Sequence, residues 1–166
     1  MDWFVVNARE ARWLDNEKFG AYTRFEPEGE RLEQVGINIS VLGPGQPMAL
    51  YHGEEDQEDF LVLAGTATLL IEGHERLLEQ WDFVHCPPWT EHIIVGSGDG
   101  PCVVLAVGGR EHDGVVYPVS ELALRHSAGA TEERRRGAEG DAGESPYKGF
   151  PEDRELTGEP DLPSLA

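Results

Sequence analysis

From Val35 to Val41 apolar and small or polar residues alternate, with Val35, Ile37, Ile39 and Val41 set against Gly36, Asn38 and Ser40. That period of two is the signature of a half-buried β-strand, and Gly43-Pro44-Gly45 ends it with a turn. Further strand-like runs follow at short intervals: Phe60 to Ala64, Thr66 to Ile71, Arg76 to Leu78, Trp81 to Cys86, His92 to Val95 and Cys102 to Val107. Glu72-Gly73-His74-Glu75 and Gly96-Ser97-Gly98-Asp99-Gly100-Pro101 read as hairpin connections between them. Many short strands joined by Gly/Pro turns, with almost no helix between them, predict an all-β antiparallel sandwich or barrel. Two short helices flank the strands. Asn7-Ala8-Arg9-Glu10 is an N-cap with Glu three residues on, predicting a short helix to about Leu14, and Ser120 caps a second one that ends near His126.

Beyond His126 the pattern is lost. Residues 127–166 hold 10 acidic and 5 basic side chains, six glycines and four prolines, with only scattered apolar residues such as Tyr147, Phe150 and Leu156. Such a segment does not bury enough apolar surface to offset its own ordering entropy, so it is mobile or draped over the strands or a partner subunit. The 166 residues thus divide into an N-terminal extension, 1–34, one β-domain, 35–126, and an irregular acidic tail, 127–166.

The charge narrows the partners. With 13 Lys+Arg against 32 Asp+Glu, the formal charge of −19 disfavours nucleic acid and anionic membrane surfaces. No apolar run approaches membrane-spanning length, and Met1-Asp2-Trp3-Phe4-Val5-Val6 lacks the basic region of a secretory leader, so a cytoplasmic protein is expected. Cys86 and Cys102 each sit inside an apolar run and read as reduced, buried thiols, with a disulfide between them left open.

Two histidines bracket the one stretch that reads as a chemical site, in Tyr51-His52-Gly53-Glu54-Glu55-Asp56-Gln57-Glu58 and Pro87-Pro88-Trp89-Thr90-Glu91-His92. Imidazole and carboxylate converging from neighbouring strands is how proteins hold a divalent metal with open coordination positions. Glu58 stands just before the apolar run from Phe60, where a carboxylate needs a partner. His52, Glu54 and Glu58 share strand parity if the segment is extended. An acidic run is ordinarily a solvated loop, which suits Glu55, Asp56 and Asp59, and Gln57 is a lesser oxygen donor. Fe(II), Mn(II), Zn and Ni suit this donor set, and two histidines with one carboxylate lean towards non-haem iron.

The two segments resemble the paired motifs of the cupin superfamily of small β-barrels. There the first motif carries His-x-His, then Glu, then Gly seven residues later, and the second carries Pro-x-Gly-x-x-His. Here His52-x-Glu54-x-x-x-Glu58 followed by Gly65 matches the first, with Glu54 in place of the second His. Pro87-x-Trp89-x-x-His92 matches the second, with Trp89 in place of Gly, and Trp81-Asp82 stands where Gly-Asp commonly begins it. The resemblance spans roughly residues 36–108 and is to small bacterial single-domain cupins. It implies a cupin-type barrel, a double-stranded β-helix or jelly roll, in which His52, Glu58 and His92 are metal ligands and Glu54 is the fourth or leaves that place to water. It does not choose a reaction, because cupins include oxygenases, isomerases and binding modules.

His85 shares strand parity with Phe83, opposite Val84 and Cys86, and is a candidate general base if that side is the interior. Trp89 either closes one lip of the pocket or packs outward, whereas Trp3, Trp13 and Trp81 read as core or interface anchors. No phosphate-binding Gly-rich loop and no serine nucleophile elbow occurs, so nucleotide-dependent and serine-hydrolase classes find no support. The expectation is a metal-binding protein that acts on a small organic molecule as an oxygenase or isomerase. Its alternative is a non-catalytic small-molecule-binding or sensing module. Homodimerisation through sheet edges or the apolar Trp3 to Val6 segment is also expected.

Overall fold

The computed structural model describes residues 3–137, 145–158 and 162. Strands occur in the order β1 (Arg12–Asn16), β2 (Gly20–Arg24), β3 (Val35–Leu42), β4 (Gly53–Glu54), β5 (Glu58–Ala64), β6 (Thr66–Ile71) and β7 (His74–Leu78). They continue with β8 (Phe83–Cys86), β9 (His92–Ser97), β10 (Cys102–Gly109), β11 (Val115–Tyr117), β12 (Arg134–Arg136) and β13 (Arg154–Glu155), and one helix, α1 (Glu121–Arg125), follows β11. The runs read from alternation and turn residues are all present as strands, each within about three residues of its expected ends.

The strands form a seven-stranded sheet in the order β13-β1-β2-β3-β10-β5-β8 and two three-stranded sheets, β7-β6-β9 and β12-β11-β4. Among the described residues none of the three sheets closes on itself, so the barrel expected from the sequence is, in its hydrogen bonding, a set of open sheets in which the large one packs face to face with β7-β6-β9. At one end of the large sheet, Pro87 and Pro88 follow β8 directly and carry no N–H with which to extend pairing. The core lies between the large sheet and β7-β6-β9. Leu42, Phe60, Val62, Val84 and Val104 meet Ala67, Leu69, Leu78 and Ile94 there. The outer face of β6 and β9 is apolar too: Leu70, Ile93 and Val95 pack under Leu122 and Ala123 of α1. Ser120 Oγ accepts from Ala123 N at 3.2 Å, which is the cap expected for that helix. Among the described residues no helix is long and apolar enough to cross a membrane.

The N-terminal helix is not formed. Asn7 Oδ1 accepts from Arg9 N, and Asn7 O accepts from Glu10 N and Ala11 N, giving a single turn before β1 starts at Arg12. From there the backbone pairs with β2 along its whole length, Arg12 opposite Arg24 through to Asn16 opposite Gly20. Trp13 and Leu14 are both buried by that pairing, and Trp13 Nε1 donates to Ala8 O at 2.8 Å. Tertiary burial of two adjacent large side chains therefore overrides a local capping signal.

The tail segment adds structure where it is described. Strand β12 pairs with β11 and β13 with β1, while Tyr147 and Phe150 pack edge-on against Phe19 at ring distances of 5.4 and 5.6 Å. Asn16 holds this segment to the β1–β2 hairpin. Its Nδ2 donates to Pro151 O and to Asp153 Oδ1, both at 2.9 Å, and its Oδ1 accepts from Lys18 N and Phe19 N.

Trp81 and Trp89, which stand in place of motif glycines, have φ of 76° and 64°. A side chain in that left-handed region costs about 1–2 kcal/mol. Trp81 is 62% exposed and recovers little of this by burial. Trp81→Gly is therefore expected to raise stability by up to about 1 kcal/mol, the gain being trimmed by the greater freedom of glycine in the unfolded chain. A lower urea midpoint in this variant would show that the indole makes a compensating contact.

Candidate metal centre

Three segments deliver the site. His52 and His92 lie opposite each other and exchange both backbone hydrogen bonds, His92 N to His52 O at 2.8 Å and His52 N to His92 O at 3.2 Å. Directly opposed residues in an antiparallel pair project to the same face, and the two rings come to 5.3 Å between centroids. Glu58 reaches them from the facing sheet. It is the first residue of β5 and has the parity of Phe60 and Val62, so it points inward like them. Its neighbour across the ladder is Gly108 of β10, where an added Cβ would be in ordinary contact with the Glu58 side chain, 3.6 Å from Oε1.

The donor atoms converge. His52 Nε2 is 3.4 Å and His92 Nε2 3.2 Å from Glu58 Oε2, and one ligand atom from each residue lies within 4.8 Å of the others. Glu54 Oε1 stands 3.7 Å from His52 Nε2, outside that cluster but beside it. Both imidazoles are set by their other nitrogen: His52 Nδ1 bonds Leu50 O at 2.6 Å, and His92 Nδ1 bonds Thr90 O at 2.8 Å. A carbonyl can only accept, so each Nδ1 carries a proton and each Nε2 is the nitrogen aimed at the centre, where an ion would displace any proton it holds.

The residues fit a divalent ion. Two donors about 2.1 Å from a common ion lie about 3.0–3.4 Å apart as the angle between them opens from right to tetrahedral, which matches both Glu58 separations. Glu58 Oε2 and His92 Nε2 are moreover buried, and neither has a hydrogen-bond partner among the described residues. Buried polar atoms left without a partner are rare and call for one. The electrostatics point the same way. Burial works against charge on Glu58, but the His52 and His92 imidazoles outweigh it and hold the carboxyl down to about 2. Burial likewise opposes protonation of His92, but the adjacent Cys86 and Glu58 side chains carry it up to about 9, and His52 is raised against its burial chiefly by the nearby Glu58 carboxylate. Glu54 is raised, first by burial and then by repulsion from Glu58. The site thus asks for positive charge at one buried point.

His85 is not part of it. Val84 and Cys86 face the core, so His85 and Phe83 face outward, and His85 Nδ1 is 2.6 Å from Asp59 Oδ1 on the outer face of β5. The condition for its role as general base fails, and the ring stays with the half-exposed pair. Trp89 packs outward as well. Its ring edge lies so close over Gly114 that an added Cβ there would be 2.9 Å away. Cys86 and Cys102 are free and buried, and burial pushes the Cys102 thiol up to about 11.

A cavity of about 270 Å³ opens in front of the cluster, lined by His52, Glu54, Glu58 and His92 together with Asn38, Ser40, Tyr117 and Tyr147. The last four were not anticipated as site residues. Asn38 and Ser40 are the polar half of the alternating strand, which faces inward here. Tyr117 and Tyr147 carried no motif, and only the pairing of β11 with β4 and the packing of the tail bring them in. Tyr147 Oη accepts from Leu50 N at 3.3 Å, while Leu50 O holds the His52 ring, and Tyr117 packs against His52 at 5.8 Å. Tyr147→Phe should therefore cost about 1 kcal/mol of stability through the unpaired N–H. It should also weaken metal affinity up to about tenfold by loosening His52. Chelator competition on the two proteins measures the second effect, and equal affinities would separate the tail from the site.

Two layers of antiparallel strands with inward His, Glu and His at one end define the class of small β-sandwich or jelly-roll proteins, here with a group that could hold a metal ion between sheets. Residues 38–108 match the family model described as the cupin domain, so that segment of the chain is similar to cupins of the cupin-2 kind. Among solved structures, a candidate sugar phosphate isomerase from Acidithiobacillus ferrooxidans is 28% identical, with a TM-score of 0.52 over 66% of this chain. The chain spans only 64% of the length of that protein. The polyketide cyclase RemF from Streptomyces resistomycificus shares the fold at 15% identity and a TM-score of 0.58, over 69% of this chain and 84% of that one. A cupin 2 conserved barrel domain protein from Salinispora arenicola does so at 22% identity and 0.51, over 65% and 87%. No curated protein matches the chain in sequence.

Proposed function

We propose that the protein is a metal-dependent enzyme acting on a small organic molecule, with isomerisation favoured over oxygenation. The observation that carries the first part is the convergence of two Nε2 atoms and Glu58 Oε2 on one buried point that faces a cavity. The preference for isomerisation rests on the likeness to the candidate sugar phosphate isomerase. A divalent ion held by His52, Glu58 and His92 would supply Lewis acidity to a substrate oxygen. The chain itself orients the two imidazoles through Leu50 O and Thr90 O, lines the cavity with the Asn38 and Ser40 side chains, and excludes bulk water with Phe60, Ile94 and Tyr117. Glu54 is the fourth candidate donor, adjacent to the cluster and on the cavity wall. Metal analysis by plasma mass spectrometry on protein purified without a histidine tag tests this reading. Near-stoichiometric Fe, Mn, Zn or Ni supports it, and a folded protein that stays metal-free after incubation with each ion favours a non-catalytic binding module.

A homodimer is proposed alongside. Trp3 and Val5 are each 89% exposed, and Trp81 and Phe83 flank the open edge of the large sheet, so substantial apolar surface lacks cover. A monomer mass by light scattering at working concentration would remove this proposal.

A further inference from the structure

A second chamber, also about 270 Å³, lies in front of the first and shares Asn38, Glu54, Glu58 and Ala106 with it. The residues that belong to the outer chamber alone include three arginines, Arg31, Arg110 and Arg136. Arg110 is already engaged, with Nη1 2.8 Å from both Glu26 Oε1 and Leu32 O. Asp56, on the same wall, is likewise taken: its carboxylate accepts from His112 N at 2.9 Å and meets His112 Nδ1 at 2.8 Å. Arg31 and Arg136 make no hydrogen bond or ion pair among the described residues. That is unexpected in a chain with 32 acidic and 13 basic residues, where a carboxylate is rarely far from a guanidinium. The neighbouring arginines make the contrast plain. Arg134 pairs with Glu132 and Arg135 with Glu133, whereas Arg136, next on the same strand and exposed, lines the chamber with no hydrogen bond or ion pair among the described residues, its charge felt by Glu54 and Tyr117.

We infer that the outer chamber binds the anionic end of a small molecule, a carboxylate or phosphate group gripped by Arg31 and Arg136. The inference rests on the reading of the inner cluster as a metal centre only in where the rest of the molecule goes, with its reacting end towards His52, Glu58 and His92. The physical case has three parts. A guanidinium offers paired N–H donors in the fork geometry that carboxylate and phosphate oxygens match, so it suits either group. The net charge of −19 repels anions at a distance, but screening confines that field to about 8 Å at physiological salt. On the chamber wall Asp56 is taken by His112 and Glu58 is turned to the two histidines, so Arg31 and Arg136 stand against Glu54 and Asp113, and the grip on an anion comes from the local fork contacts rather than from a net positive wall. The chambers are near the small end of ligand cavities, so the molecule is a metabolite rather than a polymer.

The test uses the full chain, zinc-loaded and metal-free, titrated with inorganic phosphate and separately with malonate while the arginine Nε–Hε signals are followed by NMR. One saturable site is expected. Arg31→Gln and Arg136→Gln should each weaken it about tenfold, the loss of one charge-assisted contact. Arg136→Lys, which keeps the charge and loses the fork, should fall between, and Arg125→Gln on α1 should match the wild type. Tighter phosphate binding assigns a phosphorylated ligand, and tighter malonate binding a carboxylate. Arg31 and Arg136 make no hydrogen bond or ion pair among the described residues, so the variants should stay within a few degrees of the wild-type melting temperature, with Arg136→Gln losing only its long-range attraction to Glu54. No saturable binding of either anion, or affinities indifferent to both glutamine variants, overturns the inference. A protein that takes no metal yet binds phosphate through these arginines would refute the metal centre alone. Metal uptake without arginine-dependent anion binding would refute this inference alone.

Discussion

His92→Ala is expected to lower the affinity for a divalent ion by at least about 100-fold, more than the loss of an outer partner of a metal ligand. The imidazole is 1% exposed, and its Nε2 has no hydrogen-bond partner among the described residues, so that nitrogen faces only the centre. Removing it takes away one of three converging donors and leaves the buried Glu58 carboxylate with His52 alone. A loss of stability of a few kcal/mol comes with that exposed charge imbalance, so the melting temperature must be followed with the metal content. His85→Ala is the matched control. Its ring is also a strand histidine bonded to an acidic residue, yet it stands on the outer face with Asp59, and its removal should leave metal content unchanged. Equal retention of metal by the two variants would sink the assignment of the centre, since it would show that the ion seen in analysis is held elsewhere.

Gly65→Ala is expected to be the most damaging small change outside the site, at about 3 kcal/mol or more. Two separate costs add there. The backbone is left-handed, with φ of 75°, and a Cβ would stand 2.6 Å from Pro101 O and 2.9 Å from Cys102 Cα, both backbone atoms that can yield only by moving β10. Gly73 isolates the first cost. It has φ of 76° but nothing within 4 Å of an added Cβ, so Gly73→Ala should lose only about 1 kcal/mol. Urea unfolding of the pair gives the difference directly. If Gly65→Ala is no worse than Gly73→Ala, the tight approach of β10 is not what this motif glycine serves.

The motif register was legible because its residues answer to local geometry. Gly65 has a backbone requirement, Glu58 opens an apolar strand, and His92 follows a proline-directed turn, so each leaves a mark at a fixed place in the chain. The same logic explains the two tryptophans, whose positive φ values are those of the glycines they replace. Period two along Val35 to Val41 was equally clear, but period alone does not say which side is inside. Here Ser40 and Leu42 are buried and Asn38 lines the cavity, while Ile39 lies on the outer face beside the Asn7 to Arg9 turn. An interior that contains a polar site reverses the usual assignment of the apolar face.

The sequence by itself determined the all-β class and the central strands, and it pointed to His52, Glu54, Glu58 and His92, because alternation, turn chemistry and motif spacing act over a few residues. Of these the structure brings the ligand atoms of His52, Glu58 and His92 within 4.8 Å of one another. Tertiary structure alone decided the rest. It turned the N-terminal cap signal into a strand by burying Trp13 and Leu14, and it set His85 outside by committing Val84 and Cys86 to the core. It also brought Tyr117, Tyr147 and Arg136 to the site from more than fifty residues downstream of His52, through strand pairing and aromatic packing. Those contacts depend on which surfaces remain to be covered once the sheets have formed, and that is a property of the assembled fold rather than of any stretch of chain.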